Sequence, residues 1–345
     1  MTPSWVEISV GRLRRNVASI RRRVGPGVDL IAVVKANAYG HGAIQVVRRL
    51  RETGVARFAV ATVGEAVEVR SAAADARVLV LTGCPPGCEA VFRRHDLIAA
   101  VFERRPPPPG IRAEVKIDTG MTRLGVPWGQ AREFLSEVGD RIKGVFSQFA
   151  SSECDDDLSR LQLHRFLTAT EGTTYPKHIC NSGGLRFPEA HLNAVRVGLA
   201  LYGVSPCPAV SDLEPVLSWK ARILTIKDVP EGQAVGYGGT YTTQRSSRIG
   251  LLAVGYADCY SRWFSNRGQV RIRNRLAPVV GRVSMDLTAV DLTEIPSAAA
   301  GDEAILLEND PSSPISALRL AESLSSIPYE VFTSIGPRDE RRYVP

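Results

Sequence analysis

Between residues 28 and 200 the chain alternates short apolar runs with amphipathic stretches, and this pattern constrains the fold more than any other feature of the sequence. The apolar runs fall at 30–34, 58–61, 78–81, 97–101, 113–117, 144–148, 178–180 and 194–197. Patterns of helical period separate most of them, at 44–51, 65–72, 130–138 and 159–169. Strands joined through helices pair in parallel by right-handed crossovers. Eight such units in roughly 200 residues match a closed (β/α)8 barrel at the small end of its size range. An open doubly wound sheet would need a Gly-rich phosphate turn just after its first strand. Here Gly25-Pro26-Gly27 precedes that strand. The proline run 106–109 separates the fourth unit from the fifth and cannot be helical.

Past residue 212 the pattern changes. Strand-like runs at 216–226, 247–254, 269–273, 277–283, 287–292 and 303–307 follow one another through turns, with little helical period before 315–324. The expected architecture is α/β: an N-terminal TIM-type barrel over 1–212, then a mostly antiparallel β domain over 213–345. The opening strand 6–10 fits either half.

Composition narrows the function classes. The chain has 345 residues and a net charge of +7, and all but six of its 43 basic residues are arginine. The arginines are interleaved with Asp and Glu along helical stretches such as 48–70. They form no patch with aromatics or a known module beside it, so a nucleic-acid partner is not expected. No apolar stretch approaches the roughly 18 residues of a membrane span. No basic head and apolar core mark the first residues as a secretory signal, so a cytoplasmic protein without membrane contact is expected. The six cysteines (84, 88, 154, 180, 207, 259) are expected as free thiols. Cys84 and Cys88 have neither a histidine nor a second cysteine pair nearby, so no metal site is expected.

The most informative segment is Leu30-Ile31-Ala32-Val33-Val34-Lys35-Ala36-Asn37-Ala38-Tyr39-Gly40-His41-Gly42. Lys35 closes a run of five apolar residues at the C-terminal end of the first barrel strand, the end where barrel active sites lie. An amine among apolar neighbours has its charged form disfavoured, which suits a Schiff-base nucleophile. A lysine emerging into solvent at a strand end is the plain alternative.

This segment resembles the pyridoxal-phosphate signature of the alanine racemase family. The likeness continues through Lys116-Ile117-Asp118-Thr119-Gly120-Met121-Thr122-Arg123, Asn181-Ser182 and Arg196-Val197-Gly198-Leu199. In the second half it takes in Gly236-Tyr237-Gly238-Gly239-Thr240-Tyr241, Gly255-Tyr256-Ala257-Asp258 and Gly281-Arg282-Val283-Ser284-Met285-Asp286. The family has a barrel followed by a β domain.

The resemblance implies pyridoxal 5'-phosphate as cofactor, carried on Lys35, which also serves as base on one face of the substrate. It implies Tyr256 as the base on the other face, contributed by the second subunit of a homodimer with shared active sites. A phenol can act as a base near neutral pH only with positive charge or donors nearby. The phosphate is expected among Tyr39, Ser182 and the backbone amides of Gly198 and Leu199. Arg196 is expected at the pyridine nitrogen. A guanidinium only donates, so that nitrogen stays unprotonated and the ring is a weaker electron sink. Arg123 and the Met285 amide are expected at the substrate carboxylate, with Asp286 supporting the Met285 loop. Lys116 matches a lysine that is carbamylated in many relatives, and without an anion there it would repel Arg123.

Three positions depart from the family pattern. Gln148 stands where a histidine is usual, Pro337 where several relatives carry a tyrosine, and Cys259 where glycine is usual. The implied activity is interconversion of L- and D-alanine, an isomerase reaction supplying D-alanine to peptidoglycan. A racemase of broader amino-acid range is one alternative. A non-catalytic pyridoxal-phosphate binder is another, although that class has no β domain.

Overall fold

A computed structural model describes residues 3–345 and divides the chain into two compact units. One is Leu13–Leu213; the other joins the opening strand to Glu214–Pro345.

In the first unit eight parallel strands follow one another around a ring. They are Asp29–Val33, Arg57–Val60, Arg77–Val80, Ile98–Val101, Arg112–Asp118, Val145–Phe146, Lys177–His178 and Ala194–Val197, and the last pairs with the first. Two backbone bonds close the seam between the seventh and eighth strands: Asn193 N–H donates to Lys177 O at 3.1 Å, and Arg196 N–H to Cys180 O at 2.8 Å. Each strand sits on its expected run, and Ala194–Val197 coincides with it. Helices Ala43–Glu52, Val63–Ala72, Glu89–Arg94, Trp128–Val138 and Asp156–Ala169 form crossovers. No helix separates the fourth and fifth strands, where the prolines remove backbone donors. Short 3-10 turns, Gly183–Arg186 and Pro188–Ala190, replace a helix before the eighth strand.

The barrel interior departs from the usual layers of branched aliphatics. In Arg112–Asp118 the two-residue period separates Ala113, Val115 and Ile117 from Glu114 and Lys116, and all five are buried. Glu114 bonds Arg57, on the second strand, at 3.0 Å. Two strands lie between them in the ring, so this ion pair crosses the inside of the barrel.

The second unit is built on a six-strand path. Its order is Arg275–Pro278, Gln269–Ile272, Glu303–Leu307, Leu217–Val229, Ser4–Ser9 and Glu340–Val344, antiparallel except for the last pair. The opening strand therefore belongs to this sheet. Leu217–Val229 bends at a register shift between Ile223 and Thr225, and its far half pairs with Ser247–Leu252, which in turn pairs with Thr288–Asp291. A small apolar core of Val235, Ile249, Val280 and Ala289 lies under this branch. Helix Ala317–Ser323 occupies part of the expected 315–324, and a further helix spans Pro328–Ser334. Among the described residues no helix is long and apolar enough to cross a membrane, and no group of three or more His, Cys, Asp or Glu side chains could hold a metal ion.

Candidate active site

Lys35 leaves the first barrel strand into an unusual turn. Ala36, Asn37, Ala38 and Tyr39 all have φ between 50° and 54°, a left-handed helical turn made without glycine. Each such residue costs roughly 1–2 kcal/mol, because its Cβ crowds the following carbonyl. Local hydrogen bonds offset that cost. Ala38 N–H donates to Val34 O at 2.9 Å, Gly40 N–H to Ala36 O at 2.9 Å, and Ala43 N–H to Asn37 Oδ1 at 2.8 Å. Glu65 braces the turn from outside. Its carboxylate accepts from Ala36 N–H at 2.7 Å, from Ala61 N–H at 2.8 Å and, within its capping box with Thr62, from Thr62 N–H at 2.9 Å. Burial lowers the Lys35 amine from the usual lysine range, Arg123 and Arg196 push it the same way, and Glu65 acts against them.

Tyr39, at the far end of the turn, is buried over Gly198. A Cβ at position 198 would lie 2.4 Å from the Tyr39 hydroxyl oxygen, so only glycine fits there. Beside it Ser182 Oγ accepts from Gly198 N–H and from Ala200 N–H, each at 3.2 Å. Those bonds use the oxygen's lone pairs, so the hydroxyl hydrogen remains to donate to an incoming anion. Leu199 is buried in the same segment. Its neighbour Ala200 supplies the second amide that meets Ser182, a contact the sequence reading did not assign.

Arg196 is the centre of a buried polar chain. Its Nη1 donates to His178 Nδ1 at 2.6 Å, and its Nη2 to Ser147 O and to Gln148 Oε1, both at 2.7 Å. Of five N–H groups, enough remain for one further acceptor. His178 Nε2 meets Glu114 Oε2 at 2.8 Å, and Glu114 Oε1 receives Arg57 at 3.0 Å. Arg57 in turn meets Asp29 at 3.3 Å, at the N-terminal ends of the first two strands. The His178 ring stacks on Phe146, with centroids 5.1 Å apart. Burial drives His178 down to about 4, so the ring is neutral and Glu114 carries the negative charge between Arg57 and Arg196. Arg196 is lowered by burial to about 10 and remains a cation at neutral pH.

Lys116 is buried on the same face of its strand as Glu114, and burial with the charges of Arg123 and Arg196 lowers it to about 8. Arg123 is exposed on the loop after this strand. Asp118 Oδ1 ties that loop down by accepting from Gly120, Met121 and Thr122 N–H at 2.9–3.1 Å. Lys35, Lys116, Arg123 and Arg196 thus concentrate cationic groups, and Tyr39, Ser182 and Gly198 form a cradle of hydrogen-bond groups. The barrel unit holds all eight barrel residues singled out from the sequence.

The β domain carries Tyr256 and Met285 on neighbouring turns. Tyr256 N–H donates to Ser284 O at 3.0 Å and Ala257 N–H to Met285 O at 2.9 Å; a Cβ on Gly255 would lie 2.3 Å from Met285 O. Arg338 joins the two turns, meeting Asp258 at 3.3 Å and Asp286 at 2.9 Å. Cys259 follows in the left-handed region at φ 70°, the conformation for which glycine is the usual choice. A third turn holds Tyr237 between Gly236, Gly238 and Gly239, all at positive φ, with Arg282 Nη1 3.0 Å from where a Cβ on Gly238 would stand. Tyr237 is 72% exposed, against 42% for Tyr256 and 54% for Met285. The sequence reading matched the Tyr237 motif but gave that residue no role. The run of glycines around an aromatic was the available signal.

Known proteins bear on this arrangement. The alanine racemase N-terminal domain family matches residues 8–206, and the alanine racemase C-terminal domain family matches residues 216–343. An alanine racemase of Syntrophobacter fumaroxidans is 39% identical, over 97% of this chain and 96% of its own length. One from Halothermothrix orenii is 38% identical, over 99% and 97%. Among solved structures, the biosynthetic alanine racemase from Pseudomonas aeruginosa superposes with a TM-score of 0.89 at 32% identity, covering 100% of both chains. The alanine racemase from Bartonella henselae with covalently bound pyridoxal phosphate gives 0.89 at 27% identity, again over 100% of both. With both family domains matched in order over nearly its whole length, the chain belongs to the alanine racemase family.

Proposed function

We propose that this chain is a pyridoxal-phosphate-dependent alanine racemase that interconverts L- and D-alanine in the cytoplasm and supplies the D-enantiomer for peptidoglycan. The observation that carries the reading is the left-handed turn, which sets the Lys35 amine at one end of a short segment and Tyr39, over Gly198, at the other. The residues fit the cofactor. Lys35 has a depressed amine for covalent attachment to an aldehyde. Tyr39, Ser182 and the 198–199 backbone suit a phosphate, and Arg196 has donor capacity left for a ring nitrogen. When bound, the cofactor supplies the electron sink that lets an α-proton leave.

The protein's own part is to hold the substrate and move a proton at each face. Arg123, with the Met285 amide, binds the carboxylate. Lys35 serves as base on one face and a phenol of the β domain on the other. Tyr256 takes that role in the sequence reading. The higher exposure of Tyr237, the three glycines that flank it and the adjacent Arg282 favour Tyr237 as a second candidate. Lys116, with its lowered amine, suits carbamylation, which would place an anion beside Arg123. The exposed apolar side chains Tyr237, Tyr256, Met285 and Leu287 support a homodimer in which this face is covered. The proposed functional boundary lies near residue 213, between the cofactor-binding barrel and a β domain over 213–345 that the opening strand joins.

The test is incubation with L- or D-alanine and with a panel of other amino acids in deuterated water, following α-deuterium and optical rotation. Rapid α-exchange with loss of rotation, fastest for alanine, is the expected result. Exchange without racemisation, or none, rejects the reading. Tyr237→Phe and Tyr256→Phe then decide the second base: the true one loses about 10²- to 10⁴-fold, unequally for the two enantiomers.

A further inference from the structure

The polar chain through the barrel axis contains one group whose hydrogen-bonding role is fixed at both ends. Glu114 is buried and receives donors at both oxygens: Arg57 Nη2 at Oε1 and His178 Nε2 at Oε2. Arg196 can only donate, so His178 Nδ1 must offer a lone pair to it. A neutral imidazole with an acceptor at Nδ1 carries its proton on Nε2. A carboxylate at position 114, able only to accept, matches that proton.

The geometry assigns to Glu114 the role of a positioning residue: held by Arg57, it fixes His178 as the Nε2–H tautomer and so keeps Arg196 oriented in the barrel. This rests on the racemase reading only in that Arg196 faces the cofactor ring; the tautomer itself is a property of the protein alone. An amide cannot replace the carboxylate. Glutamine would set its NH2 against one of two donors, and Arg57 has no acceptor to offer. The carbonyl would turn to Arg57 and the NH2 to His178, forcing the ring to accept at Nε2 and to carry its proton at Nδ1. That proton would then oppose Arg196, and the His178–Arg196 bond would be lost.

The experiment is 15N NMR of ring-labelled histidine in the wild-type protein, with His178 assigned by its loss in His178→Gln. The expected signature is a neutral ring protonated at Nε2. A ring protonated at Nδ1, or an imidazolium at neutral pH, overturns the assignment, and the tautomer is read on the wild-type ring itself. In Glu114→Gln the proton should move to Nδ1. In the double variant Glu114→Gln/Arg57→Met the amide is free to turn its carbonyl to His178, and the Nε2–H form should return. An unchanged tautomer in the single variant also overturns the proposal. In the loaded enzyme Glu114→Gln should lower kcat about tenfold with little change in KM, the loss expected for an outer partner that orients a working group. The double variant should recover most of it. If the tautomer behaves as stated and no racemisation is found, the function reading fails and this one stands. If racemisation is found with the wrong tautomer, the reverse holds.

Discussion

The barrel interior and the turn face of the β domain are opposites in the way they carry polarity. Inside the barrel, charge is buried and answered residue by residue, Arg57 to Glu114, Glu114 to His178 and His178 to Arg196, with the exposed Asp29 meeting Arg57 at the outer end. On the β domain the aromatic and thioether side chains of Tyr237, Tyr256 and Met285 stand out into solvent on a backbone stitched tightly beneath them. The first region is finished within one chain, and its electrostatics are set before any ligand arrives, the condition under which fixed charges act most strongly. The second is a hydrogen-bonded platform with an exposed apolar surface, the feature on which the proposed homodimer rests. In the proposed function one region supplies preorganisation and the other the groups to be delivered.

The most severe disruption is expected at the barrel mouth. Lys35→Ala should remove the visible absorbance of covalently held cofactor and lower racemisation about ten-thousand-fold. Retained absorbance in that variant would move the attachment elsewhere. Next comes the contrast itself. Glu114→Ala takes from Arg57 its buried partner, leaving it only the exposed Asp29, and should cost about 3–5 kcal/mol in denaturant unfolding, whereas Met285→Ser should leave unfolding unchanged and instead weaken dimerisation seen by light scattering. If both variants act on unfolding alike, the two regions do not differ as described.

A milder effect is expected from pH. His178 is held at about 4 in the fold, against an ordinary value near 6.5. The unfolded chain therefore binds the extra proton between those values, and stability falls as pH drops through that window. The melting temperature should decline more steeply there in the wild type than in His178→Gln. Smallest is Cys259→Gly, which relieves a left-handed residue and should stabilise the β domain by about 1 kcal/mol. A loss of stability would show that the thiol's contacts outweigh its backbone.

The repeating pattern was legible because each barrel strand announces itself locally, through its own apolar run and the turn after it. Glu114 and His178 were not, although both lie on or beside runs that were recognised. A buried charge is intelligible only through its partner, and Arg57, Glu114, His178 and Arg196 come from four different strands. Strand Glu340–Val344 was missed for a related reason: it is half-buried and charged, and it exists by pairing with the opening strand at the other end of the chain. Lys35, Tyr39 and Ser182 were legible as residue types, yet the hand of the turn joining the first two was hidden. In Ala-Asn-Ala-Tyr only the asparagine is a residue type that favours positive φ, and the turn's own backbone bonds with the bracing by Glu65 and Asn37 account for the rest.

That reversed coil works as an indivisible part. Its residues cannot be exchanged one at a time for branched ones such as valine or threonine, since each would clash in a mirror-image backbone that the neighbours tolerate only collectively. Lengthening or shortening it by a single position would rotate Tyr39 off Gly198 while leaving Lys35 where it is. Anyone grafting this loop onto another scaffold should therefore transplant residues 34–43 as one block, together with the carboxylate at position 65 that holds it.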